Sequence, residues 1–88
     1  MKLKEGFILH DVGDEHMVVA TGKAGIHFNG LIRNNSTAND IYRILLNETT
    51  EEQIVAEMLK KYQVSQETVR KDVHRIIEQI RKEGFLDE

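Results

Sequence analysis

The chain changes character near Asn35. Before it, glycines at Gly6, Gly13, Gly22, Gly25 and Gly30 punctuate short runs of β-branched and aromatic residues; after it, apolar residues recur every three or four positions and the one glycine is Gly84. The first pattern belongs to strands and the second to amphipathic helices. Phe7-Ile8-Leu9-His10-Asp11-Val12 reads as one strand and His16-Met17-Val18-Val19-Ala20-Thr21 as the next, with Gly13-Asp14-Glu15 as a tight hairpin between them. Gly22-Lys23-Ala24-Gly25 is the next turn candidate. A third strand falls within Ile26 to Asn34, best placed at Gly30-Leu31-Ile32-Arg33-Asn34, with Gly30 a candidate bulge.

Three helices are expected to follow. The first opens around Asn35-Ser36-Thr37, with Thr37 and Asp40 spaced as a capping pair, buries Ala38, Ile41, Ile44 and Leu45, and ends at Asn47. The second opens on the capping box Thr50-Glu51-Glu52-Gln53 and buries Ile54, Val55, Met58, Leu59 and Tyr62, with acids at its start and Lys60-Lys61 at its end to suit the helix dipole. The third starts from Ser65 as N-cap and runs to about Glu83. Its stripe Val69, Val73, Ile76 and Ile80 is spaced at four, three and four, and Gly84 caps it so that Phe85-Leu86 folds back. The order predicts an α+β fold: a small three-stranded antiparallel sheet followed by a three-helix cluster, like a winged helix-turn-helix rearranged in order. A length of 88 residues suits one small domain spanning residues 1–88.

Composition removes several kinds of function. There is no cysteine, hence no disulfide, no thiolate metal site, no iron–sulfur cluster held by this chain and no thiol nucleophile. No apolar run approaches the roughly 20 residues of a membrane span, and the start Met1-Lys2-Leu3-Lys4-Glu5-Gly6 lacks a signal-peptide core, so a cytoplasmic location and no membrane partner are expected. Net charge is −3, and tryptophan is absent. From residue 63 onward, Arg70, Lys71, Arg75, Arg81 and Lys82 are outnumbered by six acids. A helix that reads DNA concentrates basic charge against phosphates, so a winged-helix DNA-binding role ranks second and no nucleic-acid partner is expected.

Catalytic chemistry has little to work with. His10, His16, His27 and His74 are scattered without a metal-ligand spacing, and surface positions explain them better than ligation. His10 and His16 approach each other across the first hairpin, but two neutral imidazoles make a weak site. Glu51-Glu52 and Asp87-Glu88 suit a helix start and a solvated tail, since acid–base pairs need burial to separate their pKa values. Gly22-Lys23-Ala24-Gly25 is too short for a phosphate loop, and Ser36 and Thr37 suit a helix start. No catalytic residue, metal or cofactor is expected.

Binding is better supported. Arg70, His74, Ile77 and Arg81 recur at four, three and four beside the apolar stripe of the third helix, giving a wide apolar arc flanked by cationic groups. The plain alternative is a core helix with a broad buried face and solvated charges. If the third strand lies at a sheet edge, its unpaired N–H and C=O groups can accept another strand.

These features fall together in a known pattern. Gly6-Phe7-Ile8-Leu9, Val18-Val19-Ala20-Thr21-Gly22, Phe28-Asn29-Gly30-Leu31-Ile32, Asn35-Ser36-Thr37-Ala38 with Ile41-Tyr42, the start Thr50 to Val55, and Asp72-Val73 with Ile80 and Gly84-Phe85-Leu86 resemble the blocks of the PqqD family, also called the RiPP recognition element. Asn34 departs from it, standing where the family has an apolar residue. The resemblance implies a non-catalytic peptide chaperone that presents the leader of a ribosomally made precursor to a modifying enzyme, often a radical-SAM protein. It also implies that the leader adds as a strand to the third strand and packs on the third helix. On this sequence those elements are Leu31, Ile32, Arg33 and Asn34 for the receiving edge, and Arg70, His74, Ile77 and Arg81 for the helix face. Ile77 would make the apolar contact, and the three flanking groups would favour acidic leader residues. A structural dimerisation module is a further reading, because an open edge also lets two copies pair into a homodimer.

Overall fold

A computed structural model describes residues 1–21 and 31–88, with residues 31–34 as backbone. The turn expected at Gly22-Lys23-Ala24-Gly25, the candidate bulge at Gly30, His27 and the Phe28-Asn29 block lie outside the described residues.

The predicted strands and helices form in the predicted order, and a second small sheet joins them. β1 (Lys2–Leu3) pairs antiparallel with β5 (Leu86–Asp87), so the two ends of the chain close on each other. β2 (Phe7–Val12), β3 (Glu15–Ala20) and β4 (Leu31–Asn34) make an antiparallel sheet in the order β2-β3-β4. Val12 pairs with Glu15, leaving Gly13-Asp14 as a two-residue hairpin loop. Gly13 holds φ at +58°, a left-handed value that costs glycine little and that two-residue hairpins require. The two-residue strands β1 and β5 lack the length for a periodic pattern. They are held from outside: Leu3 N–H donates to the Leu45 carbonyl at 2.8 Å and Lys4 N–H to the Phe85 carbonyl at 2.9 Å.

α1 (Ser36–Ile44), α2 (Glu51–Lys61) and α3 (Gln66–Lys82) follow. Each begins at a side-chain cap that satisfies an orphan N–H of the first turn. The cap of α1 is Asn35, whose side chain accepts from Ala38 N–H at 2.8 Å, and not the expected Thr37–Asp40 pair. Asn35 takes the role because it stands in extended conformation directly after β4, as an N-cap residue does. Asp40 has other partners, described below. α2 carries the full Thr50/Gln53 capping box, and α3 is capped by Ser65. Gly84, at φ +80°, turns the chain after α3 so that Phe85 and Leu86 return to the interior.

One apolar cluster joins sheet and helices. Val18 enters it from β3, Ile41, Tyr42 and Leu45 from the first helix and its cap, Ile54, Val55 and Met58 from α2, and Val69, Val73, Ile76, Ile77 and Ile80 from α3. The rings of Phe7 and Phe85 meet at 4.8 Å between centroids, tilted by 51°, which fastens the start of the sheet to the C-terminal return. Of the residues expected to be buried in α1, Ala38 and Ile44 are only partly so. Asn39 is buried instead, at 3% exposure.

Candidate functional site

The register of the sheet puts β4 at an edge. β3 lies between β2 and β4, so β4 is paired on one side, and among the described residues no strand pairs with the other. Leu31, Ile32, Arg33 and Asn34 stand opposite Val19, Val18, Met17 and His16. Val18 is fully buried on the helix-packed side of the sheet, and antiparallel partners share a face. The register positions of Ile32 and Asn34 therefore belong to the helix side, and those of Leu31 and Arg33 to the outer side. In an edge strand alternate residues turn their N–H and C=O groups outward, a row able to pair with one further strand.

Asn35 carries β4 directly into α1, and a pocket of about 110 Å³ opens beside the first turn of that helix, at Thr37. Met58 of α2 and Tyr62 at its C-cap, Val64 of the α2–α3 turn, and Val69 and Val73 of α3 give it apolar walls. Thr37, Thr68 and Asp72 give it a polar rim. Val64 is 50% exposed at the mouth, an apolar side chain left in water beside an apolar hollow.

The Tyr62 wall is held in place by the acid that sequence spacing had put in a helix cap. Tyr62 donates its hydroxyl to Asp40 Oδ2 at 2.5 Å, and Lys61 Nζ donates to Oδ1 at 3.0 Å. Burial pushes the Asp40 carboxyl up, but these two donors outweigh it and hold the group below the usual aspartate value. The Asp40 carboxylate in turn raises both the Tyr62 phenol and the Lys61 ammonium.

The four helix residues singled out by spacing do not gather at this pocket. Arg70 clasps Glu52 with both guanidinium nitrogens, at 2.5 and 3.0 Å, and His74 Nδ1 lies 3.2 Å from Glu51. Arg81 is bound by Glu78 and Glu88. Hydrogen bonds from Arg70 hold Glu52 below the usual glutamate range, as those from Arg81 do for Glu88. At about 100° of rotation per residue, Arg70, His74 and Arg81 share one flank of α3, while Thr68 and Asp72 lie across the buried stripe on the other. Ile77 is not on a surface at all. Its exposure is 0%, so it belongs to the core with Val73 and Ile80, and the apolar face toward the pocket is carried by Val69 and Val73. The acids Glu51 and Glu52, expected only at a helix start, also form the seam that fixes α3 to α2.

A second polar group was not foreseen. Asp11 of β2 accepts from His16 at 2.9 Å, Arg43 at 2.8 Å and buried Asn39 at 3.3 Å, tying the hairpin to α1. The His16 hydrogen bond is the main cause that holds the Asp11 carboxyl below its ordinary value. His16 pairs across the ladder with Asp11, whereas His10 pairs with Met17, so the two imidazoles occupy opposite faces and do not meet. A buried polar residue such as Asn39 has no hydrophobic period to announce it. Its Oδ1 has no hydrogen-bond partner among the described residues.

Comparison with known proteins adds three findings. The family profile described as coenzyme PQQ synthesis protein D (PqqD) matches residues 8–86. Among curated proteins, nothing matches. Among solved structures, "TbiB1 in Complex with the TbiA(beta) Leader Peptide" is similar at TM-score 0.76 and 17% identity, covering 99% of this chain and 95% of that one. "Lasso peptide synthetase B1 complexed with the leader peptide" is similar at TM-score 0.70 and 13% identity, covering 96% and 93%. At these identities the likeness is one of fold.

Proposed function

This chain belongs to the PqqD family, and from that membership we propose that it is a non-catalytic module, one domain over residues 1–88, that binds the leader of a ribosomally made precursor peptide and presents it to a modifying enzyme. The observation that carries this reading is the edge of β4, unpaired on one side among the described residues and leading through Asn35 to the helix turn that lines an apolar pocket at Thr37, in a chain whose fold is similar to two structures of proteins in complex with leader peptides. The leader adds as a strand along Leu31 to Asn34, with affinity from main-chain pairing and selectivity from side chains set against α3. The chain contributes no cysteine, so if the partner is a radical-SAM enzyme its cluster is the partner's own. No helix among the described residues is long and apolar enough to cross a membrane. Nucleic acid is not a partner on this reading: Arg70 and Arg81, two of the cations on α3, are occupied by acids of the same chain. The free edge also lets two copies pair, and bound leader displaces that pairing.

The test separates strand addition from surface adhesion. Isothermal titration with the leader of the short precursor encoded nearest to this chain should give saturable binding, with hydrogen-exchange protection appearing at residues 31–34. The same leader with alternate backbone nitrogens methylated, which removes strand donors and keeps every side chain, should lose most of its affinity. Full affinity in the methylated leader would sink the strand-addition reading.

A further inference from the structure

Charge is distributed unequally around α3. On one flank Arg70, His74 and Arg81 each face an acid of this chain. On the other, Asp72 lines the pocket without an ion pair or hydrogen bond among the described residues. It is half-buried, and the remaining lining side chains are uncharged: Thr37, Met58, Tyr62, Val64, Val69 and others of that kind. Neither Lys71, paired with Glu67, nor Arg75, one turn on and exposed, is part of the lining. A carboxylate at the rim of an apolar hollow is partly desolvated and has no partner of its own, so it favours a cationic neighbour over an anionic one.

We propose that this site selects leaders carrying a lysine or arginine that pairs with Asp72, two residues away from an apolar side chain that fills the pocket beneath Val64 and Val69. The proposal rests on the leader-binding reading above and names the sequence class it takes. Its spacing comes from strand geometry. In a strand added to β4, residues two apart face the same side and lie about 6.6–6.8 Å from each other, so the side chain that enters the pocket and the one that reaches its rim are neighbours on one face. A volume of about 110 Å³ has room for an apolar side chain. This reverses the preference for acidic leader residues expected from Arg70, His74 and Arg81, because each of those groups already has an acid of the same chain as its partner.

The test uses the full chain and a displayed library of random 20-residue peptides. Selection on the natural chain should enrich an apolar–x–basic or basic–x–apolar pattern, and selection on Asp72→Lys should enrich an acid at the basic position. A selected peptide should bind Asp72→Asn about fivefold more weakly than the natural chain, and added salt should narrow that gap. Circular dichroism melts of Asp72→Asn and Asp72→Lys check that both keep the fold. Enriched peptides that protect residues 31–34 from hydrogen exchange but show no basic position, or that bind Asp72→Asn equally well, overturn this inference and leave the leader-binding reading standing. Failure of any peptide to bind, the encoded leader included, overturns both.

Discussion

The two flanks of α3 both carry charge and behave in opposite ways. Toward the start of α2, Arg70 and His74 meet Glu52 and Glu51, and the flank is closed by contacts of the chain with itself. Toward Thr37, the helix leaves Asp72 without a partner among the described residues, beside a hollow with apolar walls. A cation that is counted in a sequence is available to a ligand only if no acid of the same chain has already taken it. The difference between the flanks lies in partners 18 and 23 residues away, which helical spacing does not register.

The strongest way to break the comparison is to strike the core between the flanks. Ile77 is fully buried, so Ile77→Ala should lower stability by roughly 2–5 kcal/mol, read as a fall in the melting midpoint and in the denaturant midpoint. Val73→Ala should cost less, roughly 1–3 kcal/mol, because fewer methyl groups leave the interior. Unchanged melts for Ile77→Ala would return that residue to the surface role its spacing suggested.

Next in size is the open flank itself. Val64 is half-exposed and makes the lip of the pocket, so Val64→Asp should barely move the melting midpoint. It should weaken leader binding by roughly 1–2 kcal/mol, the worth of a lost apolar contact with a charge set in its place. Equal affinity in the variant would place the leader's apolar anchor elsewhere.

The closed flank should respond the other way round. Arg70→Gln removes the clasp on Glu52, two exposed groups whose pairing surface water screens. A slight drop in melting midpoint and an unaltered leader titration are expected. Loss of affinity comparable to that of Val64→Asp would show that the leader reaches this side of the helix.

These contrasts follow what was legible in the residue order. The Thr50/Gln53 box, the Ser65 cap, the α3 stripe and the Gly13 hairpin are local signals, decided by neighbours three or four residues apart, and each appears where its spacing puts it. The edge position of β4 was legible only as a condition, since an edge is a property of the whole sheet. Three features depend on distant partners and carry no local signal. Asp40 bonds Tyr62 across 22 residues instead of capping α1, Asn39 is buried against Asp11 across 28, and β1 finds β5 from the opposite end of the chain. Ile77 is core for a related reason: the apolar cluster takes in Val69, Val73, Ile76, Ile77 and Ile80, a wider arc than one stripe.

The smallest expected effect joins the pocket wall to pH. Asp40 is held below the usual aspartate value because Tyr62 and Lys61, together, outweigh the opposing effect of burial. The folded chain therefore releases this proton more readily than the unfolded chain does. The stabilisation is fully present above the unfolded aspartate pKa and is lost as pH falls through the lower folded value. Asp11, held down by His16 and Arg43, adds a contribution of the same sign in the same acidic range. Melting midpoints recorded from neutral pH down into that range should decline for the natural chain and decline less steeply for Asp40→Asn, which has no proton to gain there. Tyr62→Phe should give an intermediate slope, because Lys61 still faces the carboxylate. Leader affinity should fall in parallel, since protonated Asp40 no longer fixes the phenol that walls the pocket. Superimposable acid limbs for the natural chain and Asp40→Asn would show that Tyr62 is positioned by packing alone.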